Sequence, residues 1–257
     1  MIVSFLLIGL GAALFGAHLR RGGRGRQIRA LLGTVDTDAE IALHVANHAA
    51  TSRGHALAPI HVLYGLLQDA TFVAAITELG GNAAAIEDRA LDDLESLDPE
   101  AIITDPDHPE NATLAILTAR VFARHHGRAA GCADLWQLLL RTEAAKRVEL
   151  GGITPIALSF ALIHGGNTPR ATLPGETAVH VILRNDDFTT FEFVVAILRE
   201  VFELADPTAH AVMLATHHEG RAVVGRFEAG VAKARVEAAW ARARSQQFPL
   251  WIGVEAC

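Results

Sequence analysis

Apolar residues in the first two thirds of the chain fall mostly at helical spacing. Ile41, Val45 and His48 lie on one helical face, with Ala42, Ala46 and Ala49 beside them. Asp36 or Thr37 suits the N-cap of that helix, and Asp38 and Glu40 suit its first turn. Pro59 opens a second helix through His61, Leu63, Leu66 and Leu67. Residues 71–79 and 82–95 read as two more, separated by Gly80-Gly81. The stretch DPEAIITDPDHP (98–109) is a turn-rich connector.

The pattern then returns. ALHVANHAATSRGHALAPIHVLYGLL (42–67) aligns with AILTARVFARHHGRAAGCADLWQLLL (115–140), pairing Ala42 with Ala115, Ala46 with Ala119, Gly54 with Gly127 and Leu63 with Trp136. The offset is 73 residues, and both copies reach a Leu-Gly-Gly, at 79–81 and 150–152. One set of small helices buries little apolar surface, so two copies packed together are expected. Residues 161–176, with glycines, threonines and two prolines, read as a linker.

The last eighty residues change character. TAVHVIL (177–183) predicts a strand, closed by the turn Arg184-Asn185-Asp186-Asp187. A helix comes next, capped by Thr189 or Thr190, with Phe191, Val194, Val195, Leu198 and Phe202 on one face. Asp206-Pro207 opens the next helix as cap and first helical residue, and places Met213 and His217 on one side. RAVVGRF (221–227) is a strand, 228–244 a helix, and Phe248–Val254 the last strand. The order strand, helix, helix, strand, helix, strand predicts a compact α+β unit.

Composition narrows the function classes. The 257 residues carry 22 basic and 29 acidic side chains, a net charge of -7, which argues against a nucleic-acid partner. Cys132 and Cys257 make no disulfide framework. Residues 1–17, MIVSFLLIGLGAALFGA, are uncharged, and the run continues to Leu19 before Arg20, Arg21, Arg24, Arg26 and Arg29. That length approaches the ~20 residues of a bilayer-spanning helix, and the trailing arginines keep the main domains on the cytoplasmic side. The expectation is therefore an anchor at 1–19, a basic juxtamembrane linker at 20–34, and single-pass attachment to the inner or plasma membrane. A cleaved leader or a helix buried in a protein core are the competing readings. No phosphate-binding G-x-x-x-x-G-K-[ST] and no G-x-S-x-G occurs, and the two lysines, Lys146 and Lys233, follow no phosphate loop. An enzyme is not expected, nor a cofactor. His217-His218-Glu219 does not make a metal site, because neighbours on a helix point apart.

Two resemblances sharpen this. With its alanine-spaced first helix, Gly54-His55-Ala56 turn and Ile60-His61-Val62-Leu63 leading into Leu66-Leu67, the region 35–160 resembles the Clp N-terminal domain, an all-helical double repeat that docks adaptors and substrates. The segment 177–257 is similar to the ClpS adaptor family. It carries VILRNDDFTTFEFVVAIL (181–198), AVMLATHHEGRAVVGRFEAGVAKARVEAA (211–239) and Pro249-Leu250. That resemblance implies a three-stranded antiparallel sheet with three helices. It also implies an adaptor that binds substrates with N-terminal Leu, Phe, Tyr or Trp and hands them to a Clp ATPase and its peptidase.

The resemblance assigns Asn185, Asp186 and His217 to the substrate's α-amine. It assigns Asp187, Thr189, Phe191, Val194, Met213, Thr216 and Leu250 to the side-chain pocket, and Arg235 to ATPase docking. The chemistry fits the first group: an ammonium has three donors, and an amide oxygen, a carboxylate and a neutral imidazole are acceptors. The chain departs from the family where Thr190-Phe191 replaces Pro-Met, where Thr216 replaces an apolar residue, and where Gly230 replaces an acidic docking residue. Phenylalanine is bulkier and stiffer than methionine, so a narrower pocket is expected. The alternative is a non-catalytic Clp-system scaffold without degron binding. Its two domains would pair within one chain, between copies of the chain, or with a Clp ATPase.

Overall fold

The computed structural model describes residues 33–105, His108 and 111–257. The backbone divides into two compact units, the first ending at Leu158 and the second spanning Ser159–Cys257.

The first unit is helical. It contains α1 (Thr37–Thr51), α2 (Pro59–Leu66), α3 (Ala70–Glu78) and α4 (Ala83–Ser96), then α5 (Ala112–His125), α6 (Cys132–Leu139), a 3-10 helix (Glu143–Gly151) and α7 (Pro155–His164), which runs on into the second unit. The duplication is visible in the backbone: α2 and α6, and α3 and the 3-10 helix, are offset by 73 residues at both ends. Gly54 and Gly127, also 73 apart, both adopt left-handed φ (70° and 74°), which glycine enters without a Cβ penalty.

Helix α1 buries the stripe Ala39, Ala42, Ala46, Ala49, while Ile41 stays 55% exposed. The larger residues are thus not its core face. The reason is a close helix crossing: a Cβ on Gly65 of α2 would lie 2.1 Å from the Ala42 carbonyl oxygen. Only small residues permit that approach. Asp36 caps α1 by accepting from the Ala39 amide at 2.8 Å. Trp136 and Phe72 are fully buried and meet edge to face at 5.5 Å between ring centres.

The two copies solve one local problem with different chemistry. His61 sits in the first turn of α2, and its Nδ1 accepts from the Ala58 amide at 3.0 Å. Asp134 is its counterpart in α6, and its Oδ2 accepts from the Gly131 amide at 2.8 Å. Asp134 is balanced by Arg128 at 2.6 Å. His61 is fully buried, and burial, followed by the field of His55, lowers its pKa to about 4.

The second unit holds β1 (Ala178–Arg184), α8 (Phe191–Glu200), α9 (Asp206–Glu219), β2 (Arg221–Glu228), α10 (Ala229–Ser245) and β3 (Ile252–Ala256). The sheet order is β2-β1-β3, antiparallel throughout. Val179, Val181 and Leu183 alternate toward a core shared with Phe193, Leu198, Phe202, Ala209, Val236, Ala239 and Ile252. Residues 248–251 are not part of the last strand. The Phe248 amide bonds back to the Ala243 carbonyl, and Pro249 has no N–H to give a ladder. Asp206 is the first residue of α9 and Ala205 its cap. Residues 164–170, placed in a linker by composition, bond to this unit. His164 Nε2 lies 2.7 Å from the Pro249 carbonyl oxygen, Trp251 Nε1 donates to the Asn167 carbonyl at 2.6 Å, and the Val254 amide donates to the Arg170 carbonyl at 2.8 Å.

The expected membrane location is corrected. Among the described residues no single helix is long and apolar enough to cross a membrane. The segments 1–19 and 20–32 lie outside the described residues.

A neutral, buried His61 has a pH consequence. Its folded pKa is depressed below the ordinary value of 6.5, so its contribution is complete above that value and is lost as pH falls toward 4. The shift corresponds to on the order of 3 kcal/mol. Thermal unfolding of the chain between pH 7.5 and 4 is expected to show this loss, and His61→Gln is expected to flatten it.

Candidate functional site

Strand β1 ends where three segments meet. The Arg184 amide donates to the Trp251 carbonyl at 3.1 Å, and the Asn185 amide donates to the Gly220 carbonyl at 2.9 Å. Gly220 closes α9 with a left-handed φ of 79°. These bonds bring the C-terminal turn of α9, the 185–190 turn and the strap before β3 together.

The turn is organised by Asp186. Its Oδ1 accepts from the Phe188 amide at 2.8 Å and the Thr189 amide at 2.6 Å, and its Oδ2 accepts from the Thr189 hydroxyl at 2.8 Å. Thr190, not Thr189, caps α8, accepting from the Phe193 amide at 3.3 Å. Burial pushes the Asp186 carboxyl above the usual carboxylate range, against the pull of Thr189, Phe188 and His164. Burial also pushes His164 down, against its bond to the Pro249 carbonyl and the charge of Asp186.

Beside this turn lies a small recess that opens to solvent. Asn185, Asp186 and Thr189 line it from the turn, Phe191 and Val194 from α8, Met213, Thr216 and His217 from α9, and Leu250 from the strap. Spacing on α9 explains the third group, since residues 213, 216 and 217 share one helical side. Leu250 is fixed by its neighbour Pro249, whose carbonyl meets His164. Phe191 is 44% exposed, and its ring stands edge to face with His217 at 4.9 Å. Thr216 spends its hydroxyl hydrogen on the Val212 carbonyl at 2.8 Å, so that wall is less polar than the residue type suggests.

Two expected positions sit elsewhere. Asp187 is not among the residues lining the recess, although its neighbours Asn185 and Asp186 are. Arg235 is turned onto its own domain: Nη1 donates to the Phe202 carbonyl at 2.6 Å, Nη2 pairs with Glu203, and the guanidinium lies 5.3 Å from the Phe227 ring centre. Its side chain is 21% exposed. Leu183 and Arg184 also line the recess. The sequence pattern places them at a strand end and in a turn, and only the fold of the strap beside them makes them walls.

The recess is lined by polar side chains (Asn185, Asp186, His217) and apolar ones (Val194, Met213, Leu250). Such a cavity can hold a cationic donor and a hydrocarbon group. Among the described residues no group of three or more His, Cys, Asp or Glu is placed to hold a metal ion.

A family model described as "ATP-dependent Clp protease adaptor protein ClpS" matches residues 175–253. The ATP-dependent Clp protease adapter protein ClpS of Neisseria meningitidis serogroup A is 47% identical over 75 residues, covering 29% of this chain and 73% of that protein. Its counterpart in Myxococcus xanthus is 35% identical over 89 residues, covering 35% of this chain and 83% of that protein. The solved structure of Agrobacterium tumefaciens ClpS2 bound to L-phenylalaninamide is 34% identical and covers 31% of this chain and 95% of that chain, with a TM-score of 0.30.

The Thr189 hydroxyl matters to the recess because it holds a buried carboxylate. Thr189→Val is expected to destabilise the chain by about 1–2 kcal/mol, an unsatisfied buried acceptor being the cause. Urea unfolding followed by tryptophan fluorescence checks this, and an unchanged midpoint would contradict the role given to Asp186.

Proposed function

The chain belongs to the ClpS family of Clp protease adaptors through its C-terminal domain, and from that premise we propose that it binds the free N-terminus of substrate proteins bearing a bulky hydrophobic first residue. ClpS proteins are adaptors and not catalysts. The reading rests on one observation: Asn185, Asp186 and His217 share a recess with Val194, Met213 and Leu250.

In this proposal the ammonium donates to the Asn185 amide oxygen and to a neutral His217 ring nitrogen. Asp186 contributes mainly charge. A carboxylate offers about four acceptor sites, and three are taken by Phe188 and Thr189. One remains for the ammonium or a bridging water. The arriving cation favours the ionised carboxylate and so opposes the effect of burial on its pKa. The first side chain fills the apolar end, where burial is worth roughly 1.5–3 kcal/mol. Thr189, Phe191 and Thr216 complete the wall. Phe191, edge-on to His217 at the mouth, narrows entry more than a flexible methionine would. Leucine and phenylalanine are favoured over tryptophan, and β-branched or charged first residues are disfavoured.

Delivery to a Clp ATPase and its peptidase is the second half of the proposal. Arg235 belongs to the proposed docking face as a residue held in place by Phe202 and Glu203. We propose that the helical unit is a Clp-N-like double repeat. Its support is the repeated backbone at a 73-residue offset and the matched left-handed glycines. The ClpS-type and Clp-N-type domains are proposed to pair with each other, within one chain or between copies, or with the ATPase.

The test is binding of fluorescent peptides beginning with Leu, Phe, Tyr, Trp, Val or Arg to the full chain. Free N-terminal Leu and Phe peptides are expected to bind at least about tenfold tighter than their N-acetylated forms, as loss of a charged hydrogen-bonded group requires. His217→Ala is expected to erase most of that difference. Equal, weak signals for all six peptides would refute the reading.

A further inference from the structure

Arg184 occupies a position that the amine-and-pocket picture leaves unused. It precedes Asn185 at the end of β1 and lines the recess. Its Nε is buried and has no hydrogen-bond partner. Its guanidinium lies over the Trp251 ring, 4.5 Å from the ring centre. Its ion pair with Glu255 is long, Nη2 to Oε1 at 3.7 Å, and Glu255 gives its other oxygen to Arg221 at 2.7 Å. The side chain remains one-third exposed, at 34%. Arg184 therefore brings an under-neutralised charge, with its Nε unpartnered inside the protein, to the recess that Asp186 also lines.

A guanidinium beside an ammonium site is unfavourable by charge alone. It becomes favourable when the ligand also brings an anion. Building on the proposed binding of free N-termini, we infer that Arg184 reads the residue after the first one and selects an acidic side chain there. With the amine at Asn185, Asp186 and His217 and the first side chain inside the recess, the second residue lies at the rim beside Asn185, where Arg184 stands. A carboxylate there pairs with the exposed part of the guanidinium, whose planar fork offers a two-bond geometry that lysine does not. The ligand class is thus a protein N-terminus of the form hydrophobic–acidic.

The experiment uses the full chain and fluorescent peptides starting Leu-Glu, Leu-Gln and Leu-Lys, each free and N-acetylated, at low and high salt. The wild type is expected to bind Leu-Glu about two- to fivefold tighter than Leu-Gln at low salt, the range of a partly exposed charge pair, with Leu-Lys weaker still. Raising the salt compresses the series. Arg184→Gln is expected to equalise Leu-Glu and Leu-Gln, and Arg184→Lys to retain part of the preference. A wild type that ignores the second residue overturns the inference, as does a preference that survives in Arg184→Gln. An equal loss for all three peptides in Arg184→Gln also overturns it, since that pattern means a contact to the peptide backbone. Free and acetylated peptides binding alike refutes amine recognition itself, and binding of no peptide refutes both.

Discussion

Two backbone hydrogen bonds at the end of β1 set the geometry on which the C-terminal domain depends. The Arg184 amide reaches Trp251 and the Asn185 amide reaches Gly220. One ties β1 to the strap that carries Leu250, and the other ties it to the helix end that carries His217. Polar and apolar walls from segments far apart in sequence therefore converge within one recess. The strap is held a second time, by His164 at Pro249 and by Asn167 at Trp251. Backbone pinning of this kind lets the side chains of the wall differ while the position of the wall persists.

Within that frame the electrostatics are opposed. Asp186 is driven toward its neutral form by burial and toward its charged form by three donors and His164. The proposed cationic ligand would favour the carboxylate. Arg184 stands next in line with a charge that Glu255 only partly answers. A site that holds both signs close together distinguishes ligands by the arrangement of their charges and not by net charge alone.

The helical unit shows the same principle in a structural role. His61 and Asp134 occupy equivalent places and each satisfies one backbone amide at a helix start. The aspartate needs Arg128 beside it, whereas the histidine works as a buried neutral ring. Duplication preserved the hydrogen bond and let the group supplying it change.

Local chemistry alone determined much of this protein. Capping residues, Gly80-Gly81, Pro59, and the period-2 and period-3.6 patterns located the elements to within a few residues, because those signals act over one turn of chain. The Asn-Asp-Asp turn and Met213–His217 spacing were readable for the same reason. Tertiary structure alone decided four things. The core face of α1 is its alanine stripe and not Ile41, because Gly65 brings α2 within contact of the Ala42 carbonyl. Arg235 is turned onto Phe202 and Glu203. Asp187 lies outside the recess that Arg184 lines. Residues 164–170 strap the end of the sheet through contacts 84 and 85 positions apart. Each depends on which distant backbone group comes within about 3 Å, and periodicity along the chain carries no information about that distance.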